Sequence, residues 1–134
     1  MALEYLLDTN IVSDLMRRPQ GPVAAALARV GDDTVCTSIV VVSELKFGVK
    51  KSGSPRLQAN LDAILSALEI LPLKEPVDQR YTEIRHHLES VGQTIGPNDL
   101  LIAAHCLAEN LVAVTANIDE FSRVPGLGVE NWLS

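Results

Sequence analysis

Short apolar runs alternate along the chain with longer stretches in which apolar residues recur at helical spacing. The first run, within the sequence EYLLDTN at positions 4–10, ends abruptly at a carboxylate, Asp8. In an open α/β sheet such a run is a buried strand, and ligands bind beyond the carboxyl ends of the strands. Asp8 is therefore predicted to stand at the mouth of a crevice.

The same pattern predicts the remaining elements. Helices are predicted over 10–17, 21–29, 39–51, 57–68, 77–91, from Pro97 onward and over 118–122, and strands over 34–37, 70–73, 111–115 and 128–130. The stretch 39–42 is ambiguous, because its β-branched residues favour a strand while Ser38 is a candidate helix N-cap. Alternating strands and helices indicate an α/β fold with a central, mostly parallel sheet of four to five short strands.

Length and composition fit a single domain over residues 1–134. A chain of this size buries roughly two thirds of its unfolded surface and is stable without disulfides, so Cys36 and Cys106 are interpreted as core residues in a reducing compartment. No charged and then apolar leader opens the sequence, and no apolar run approaches the roughly twenty residues that cross a bilayer. We expect a soluble, cytoplasmic protein with no membrane partner.

The net charge of -6 argues against broad, non-specific adhesion to nucleic acid, which needs an excess of Lys and Arg. It does not exclude an enzyme that acts on nucleic acid, because bound divalent cations would reverse the local potential of an acidic site. Lys46, Lys50 and Lys51 form either a solvated face or a contact with a nucleic-acid backbone. Aromatic residues make up only 4% of the chain, so a nucleic-acid ligand would be recognised through its shape and backbone more than through base stacking.

Further carboxylates fall at places that the fold can bring to Asp8. Glu44 lies on the helix after the second strand, between apolar residues, and Asp99 lies in a first helical turn, where the dipole favours an anion. Asp119 and Glu120 follow the strand predicted at 111–115. Oxygen ligands of this kind suit Mg²⁺, with Mn²⁺ as the alternative, and such ions activate water and stabilise charge on a phosphate.

Four sequence blocks carry a resemblance that spans the chain. They are YLLDTNIVSDL, SELKFGVKKS, IGPNDLLIAAHCLAENL and VTANIDEFSRVPGLGVENWL. Together and in this order they resemble the PIN domain and, within it, the VapC-type toxins of bacterial toxin–antitoxin pairs. The resemblance implies a PIN-like α/β/α sandwich and a magnesium-dependent endoribonuclease that cleaves tRNA or rRNA. It also implies a VapB-type antitoxin partner and a homodimer, which assembles with the antitoxin into a heterotetramer or a larger complex.

The resemblance also assigns residues to the site. Asp8, Glu44 and Asp99 match the three acidic positions that hold the metal in the family, with Asp8 and Asp99 as the direct ligands. Many PIN domains have Asp where this chain has Asn117, so Glu120 is the candidate for a fourth catalytic carboxylate and a second metal is in doubt. The candidates for supporting or substrate contacts are Thr9, Asn10, Thr115, Asn117 and Asp119.

Other interpretations of these residues stay open. Taken singly, Asp8 and Asn10 could cap a helix, Asp99 could be a helix-start anion and Glu120 a solvated residue. A catalytically silent PIN-like binding module is one alternative, although such modules usually lose the carboxylates. A phosphoryl-transfer or receiver-type domain is a weaker one, because the DTN sequence lacks the second Asp of such phosphatases and no Lys follows Thr115.

Overall fold

A sheet of five parallel strands runs through the middle of the computed structural model, which describes residues 2–133. The strands are β1 (Tyr5–Leu7), β2 (Val35–Ser38), β3 (Glu69–Leu71), β4 (Val112–Val114) and β5 (Val129–Glu130). Their order across the sheet is β3-β2-β1-β4-β5. The chain thus builds outward on one side of β1 and then on the other, so the carboxyl end of β1 is the switch point where ligands bind in such sheets.

Helices connect the strands and flank the sheet. They are α1 (Thr9–Arg17), α2 (Pro22–Val30), α3 (Ile39–Ser52), α4 (Pro55–Ala67), α5 (Val77–Ser90), α6 (Pro97–Ala108) and the short α7 (Ile118–Phe121). These bounds follow the predicted periodicity closely, and the predicted α/β fold with a parallel sheet is confirmed. No helix within residues 2–133 is both long and apolar enough to cross a lipid bilayer.

The ambiguous stretch after the second strand is helical. β2 ends at Ser38, whose side-chain oxygen accepts a hydrogen bond of 3.1 Å from the backbone N–H of Val40 and so caps α3. Val41, Leu45 and Val49 lie on the buried face of this helix. Capping and burial of one helical face therefore outweigh the strand propensity of the β-branched run.

All four strands after β1 differ from their predicted bounds, and β4 and β5 are only shorter, by two residues and one residue. β2 lies at 35–38, one residue later than predicted, because Thr34 belongs to a short 3-10 turn at 32–34. β3 ends at Leu71, two residues earlier than predicted. The next residue, Pro72, has no N–H to donate to a sheet, which ends the ladder there.

The core lies between the sheet and its helices. Leu6 and Leu7 of β1 are fully buried, as are Ile11 and Val12, which follow them on α1. Both cysteines are free and buried within this core, as predicted. The central strand is thereby packed on both faces. Asp8, the residue that follows it, is held at the carboxyl end of this strand.

Candidate active site

A polar cleft of about 480 Å³ opens at the carboxyl end of β1. Its polar lining includes Asp8, Thr9, Asn10, Glu44, Asp99 and Asn117. These residues come from the starts of α1 and α6, the second turn of α3 and the segment after β4. A second cavity, of about 360 Å³ between α1, α2 and α4, is lined mainly by apolar side chains and reaches none of the cleft carboxylates. The polar cleft is therefore the candidate active site.

Asp8 is the most deeply buried of the carboxylates, with 4% of its surface exposed. Its Oδ1 accepts a hydrogen bond of 2.8 Å from the N–H of Thr9, and its Oδ2 accepts one of 2.7 Å from Thr115 Oγ1. Burial raises the pKa of Asp8 and the charge of Glu44 adds to the rise, while the two hydrogen bonds oppose it. Asp8 does cap α1, but a helix cap alone does not require this burial.

Glu44 is held by side chains from two other helices. Thr9 Oγ1 donates to its Oε1 at 2.6 Å, and Asn98 Nδ2 donates to its Oε2 at 3.1 Å. Both carboxylate oxygens are thus oriented, and the three helices α1, α3 and α6 are tied together at the cleft. Asn98 was not among the residues predicted from the sequence. It precedes Asp99 in the first turn of α6. Only the position of that turn beside the cleft identifies Asn98 as a site residue.

Asp99 is half-buried and lies within range of two other acidic groups. Burial raises the pKa of Asp99 to about 7, and hydrogen bonding to Glu120 and the charges of Asp8 and Glu120 add to the rise. The hydrogen bond with Asp99, first among its causes, lowers the pKa of Glu120. The two carboxyl groups therefore favour one proton between them, held on Asp99.

Asn117 bridges these two carboxyl groups. Its Nδ2 donates to Asp99 Oδ2 at 3.0 Å and to Glu120 Oε2 at 2.6 Å, so both amide protons are used. Its backbone N–H donates to Thr115 Oγ1 at 2.9 Å. An Asp at this position would add a further negative charge to a site that already holds several, whereas the amide supplies donors.

The remaining predicted residues take different positions. Asn10 Oδ1 accepts a hydrogen bond of 3.3 Å from the N–H of Ala116 at the rim of the cleft. Asp119 is exposed and does not border the cleft. The predicted RNA-contact residues Lys46, Lys50 and Lys51 are exposed along α3. The structure therefore brings Asp8, Glu44 and Asp99 to one cleft. Glu120 contacts this group through Asn117, and Asp119 lies outside the cleft.

The donor set of the cleft fits a hard divalent cation. Among residues 2–133, no three His, Cys, Asp or Glu side chains form a ready metal cage. Mg²⁺ does not need one, because it keeps several waters and is commonly held by one or two carboxylates together with substrate phosphate. The charge of Glu44 raises the pKa of Asp8 and the charge of Asp8 raises the pKa of Asp99, so a cation bound in the cleft would offset this repulsion.

Comparisons with known proteins agree with this arrangement. The family model described as PIN domain matches residues 5–127, and the chain belongs to this family, within its VapC group. Ribonuclease VapC2 of Rickettsia felis is 42% identical, with 96% of this chain and 97% of that protein covered. The tRNA(fMet)-specific endonuclease VapC of Salmonella typhimurium is 32% identical, with 97% and 98% covered. The predicted resemblance is confirmed.

A solved structure shows the same architecture. The crystal structure of VapBC2 from Rickettsia felis bound to a DNA fragment from their promoter aligns with a TM-score of 0.88 at 40% identity. The alignment covers 98% of this chain and 99% of that one. The five-stranded parallel sheet with its flanking helices is therefore the fold of a VapC-type PIN domain.

Proposed function

We propose that this protein is the toxin of a type II toxin–antitoxin pair and acts as a magnesium-dependent endoribonuclease. The observation that carries the proposal is the convergence of Asp8, Glu44 and Asp99, from three separate elements, on one cleft at the switch point of the sheet. The names of the curated relatives, ribonuclease and tRNA(fMet)-specific endonuclease, support RNA as the substrate. We propose tRNA or rRNA as the substrate class.

Asp8 and Asp99 would hold the ion, which would be Mg²⁺ or, as the alternative, Mn²⁺. When bound, such an ion lowers the pKa of a coordinated water and stabilises charge on a phosphate oxygen. Glu44 faces the same cleft with its carboxylate oriented by Thr9 and Asn98, so it can accept a hydrogen bond from a water molecule there. Glu44 therefore orients a water molecule in the cleft. This role depends on Thr9 and Asn98 because they hold its carboxylate in position.

Asn117 and Glu120 support one metal ion better than two. The position where many family members carry Asp holds a neutral amide, and both of its protons are already given to Asp99 and Glu120. Glu120 is thereby tied to Asp99 on the far side of Asn117 and does not line the cleft. We propose that Glu120 tunes the charge of Asp99 and that a second ion is not required.

A VapB-type antitoxin is the proposed protein partner, because solved relatives of this chain are VapBC complexes. A homodimer, or a heterotetramer or larger assembly with antitoxin, stays a prediction. The apolar residues of α4 and α5, which could serve a subunit contact, are packed largely within the chain's own core. A cytoplasmic location follows from the proposed RNA substrate.

The proposal is tested by cleavage of purified tRNA and rRNA with Mg²⁺ and with chelator. We expect cleavage only with the metal, and its loss in Asp8→Asn. The matched control is Asp33→Asn, since Asp33 is an exposed acidic residue before the amino end of β2, at the opposite end of the sheet from the cleft. Cleavage that persists in Asp8→Asn would contradict the catalytic assignment, and a parent that never cleaves would favour the catalytically silent module.

A further inference from the structure

Phe47 on α3 is the most exposed of the large apolar side chains among residues 2–133, with 69% of its surface open to solvent. A single exposed apolar residue needs no explanation by itself. Phe47 differs because of its position, since it follows Glu44 by three residues on the same helix. Residues at this spacing are neighbours on one helical face, with Cβ atoms roughly 5–6 Å apart. Phe47 therefore lies one helical turn from Glu44, outside the set of residues that line the cleft.

Two lysines continue this face away from the cleft. Lys50 and Lys51 follow Phe47 by three and four residues, so they flank the ring on its far side from Glu44. The opposite face of α3 is buried in the core. The exposed stripe thus begins at a cleft carboxylate, passes over an aromatic ring and ends at two ammonium groups.

The charges on this stripe are available for a ligand. In the part of the chain that the structure describes, neither Lys50 nor Lys51 forms an ion pair with a carboxylate. In a chain with a net charge of -6, this is a local concentration of positive charge beside an acidic site. Phosphates need such cations, and a nucleobase stacks on a flat ring.

A second copy of this chain fits the stripe less well. A two-fold contact places the same patch of both subunits face to face, so the two lysines of one copy would meet those of the other. Like charges opposed in this way are destabilising, whereas a polyanion neutralises them. Charge complementarity therefore favours single-stranded RNA as the occupant.

We infer that Phe47 is a stacking platform for an unpaired base near the cleaved phosphodiester, with Lys50 and Lys51 contacting the phosphates beyond it. The inference rests on the proposed ribonuclease function and names a substrate contact for it. It also changes the expectation drawn from the low aromatic content of the sequence. Aromatic residues are few, but this one is placed where an RNA strand leaving the cleft would pass.

The test is steady-state cleavage of an RNA that the parent cuts, with a series of substitutions at one position. Phe47→Ala and Phe47→Leu should raise KM by about tenfold and change kcat far less, because one base–aromatic stack is lost away from the reacting atoms. Phe47→Trp should keep the KM of the parent or lower it. Leu is the decisive variant, since it keeps the apolar bulk and removes the aromatic face.

A matched control and a direct binding measurement accompany the series. Arg29→Gln removes an exposed cation that forms no ion pair within residues 2–133; it lies at the end of α2, near the amino end of β2 and opposite the cleft, and its replacement should leave KM unchanged. Phe47→Trp combined with Asp99→Asn should show fluorescence quenching when a non-cleaved single-stranded RNA is added. Asp99→Asn alone supplies the background signal of the buried Trp132.

The possible failures are distinguishable. A parent that does not cleave RNA would overturn the proposed function itself. A parent that cleaves, with an unchanged KM in Phe47→Leu and no quenching in the Trp variant, would overturn the stacking assignment alone. If sedimentation shows that Phe47→Ala turns a dimer into a monomer while Phe47→Leu remains dimeric with the parent's KM, Phe47 is a subunit contact and the inference is wrong.

Discussion

Thr115 Oγ1 donates a hydrogen bond of 2.7 Å to Asp8 Oδ2, and both residues are buried. They follow neighbouring strands whose last residues, Leu7 and Val114, are paired in the sheet. The register of two parallel strands therefore places the donor opposite the carboxylate. This bond stabilises the charged form of Asp8 and opposes the burial that raises its pKa.

Replacing Thr115 with Val tests how much this hydrogen bond contributes to stability and to metal binding. The variant removes the donor to Asp8 and the acceptor for the N–H of Asn117, so the pKa of Asp8 should rise further. We expect a loss of about 1–3 kcal/mol in the free energy of unfolding, a smaller stabilisation by added Mg²⁺ and slower RNA cleavage. Chemical denaturation and a cleavage assay, each with and without Mg²⁺, measure these effects.

Thr34→Val is the control for this substitution. Thr34 is also buried, but its hydroxyl donates to the backbone oxygen of Gly31 at the opposite end of the sheet. It should cost stability without changing the response to Mg²⁺. Equal Mg²⁺ responses in the two variants would mean that Thr115 serves packing only.

The raised pKa of Asp99 predicts a pH dependence of the metal-free protein. The ordinary value is 3.8 and the folded value is about 7, so between them folded Asp99 holds a proton that the unfolded chain has released. The contribution of this group to stability is therefore complete below pH 4 and is lost as the pH rises to 7. The Asn side chain does not titrate. The melting temperature of Asp99→Asn should therefore rise relative to that of the parent as the pH increases through this window.

Thermal melts of both proteins in chelator, at several values between pH 4.5 and 8 that cover most of this roughly three-unit interval, measure the difference. Comparing the variant with the parent at each pH cancels the titration of carboxylates that do not interact with Asp99, whereas Glu120 titrates together with it. A difference in melting temperature that stays constant from pH 4.5 to 8 would show that Asp99 is not strained by burial and by its acidic neighbours.

The antitoxin is predicted to neutralise the same cleft. Without metal, the carboxylates of Asp8 and Asp99 attract a cation, and an Arg or Lys side chain of the antitoxin would pair with them. Replacing the basic residues in the C-terminal segment of the antitoxin with Ala should weaken inhibition of RNA cleavage. Full inhibition by an antitoxin without those residues would rule the pairing out, and Ala substitutions of basic residues elsewhere in the antitoxin provide the control.

Most of the framework could be predicted from the sequence because it depends on local signals. The start of α6 is marked by Pro97, and the start of α3 by the N-cap Ser38. The end of β3 was misplaced because the apolar run continues to Leu73, while the ladder stops where Pro72 lacks a donor. The apolar pattern of a sequence predicts which residues are buried, but the pairing of strands also needs hydrogen bonds from the backbone.

The site was only partly predictable because its contacts join residues far apart in the chain. The position of Asp8 follows from one strand, but the bonds of Glu44 to Thr9 and Asn98 depend on how three helices meet. No spacing in the sequence distinguishes Asn98 from a solvated helix-start residue. Asp119 and Glu120 look equivalent in sequence, yet the turn of α7 points only Glu120 toward Asn117.

The proposed metal site requires Asp99 to be more than a favourable helix-start anion. Asp99→Asn keeps the shape and removes one charge from the site. If Asp8 and Asp99 share a cation, the variant should melt at the same or a higher temperature than the parent in chelator, gain less from added Mg²⁺ and lose RNA cleavage by orders of magnitude.

Melting curves with and without Mg²⁺, run beside a cleavage assay on the same preparations of parent and Asp99→Asn, test this most directly. We expect a variant that is at least as stable as the parent without metal, responds weakly to Mg²⁺ and is inactive. If Asp99 only favours the start of α6, the variant should lose up to about 1 kcal/mol of stability and keep its Mg²⁺ response and activity. A destabilised variant that still cuts RNA would contradict the assignment.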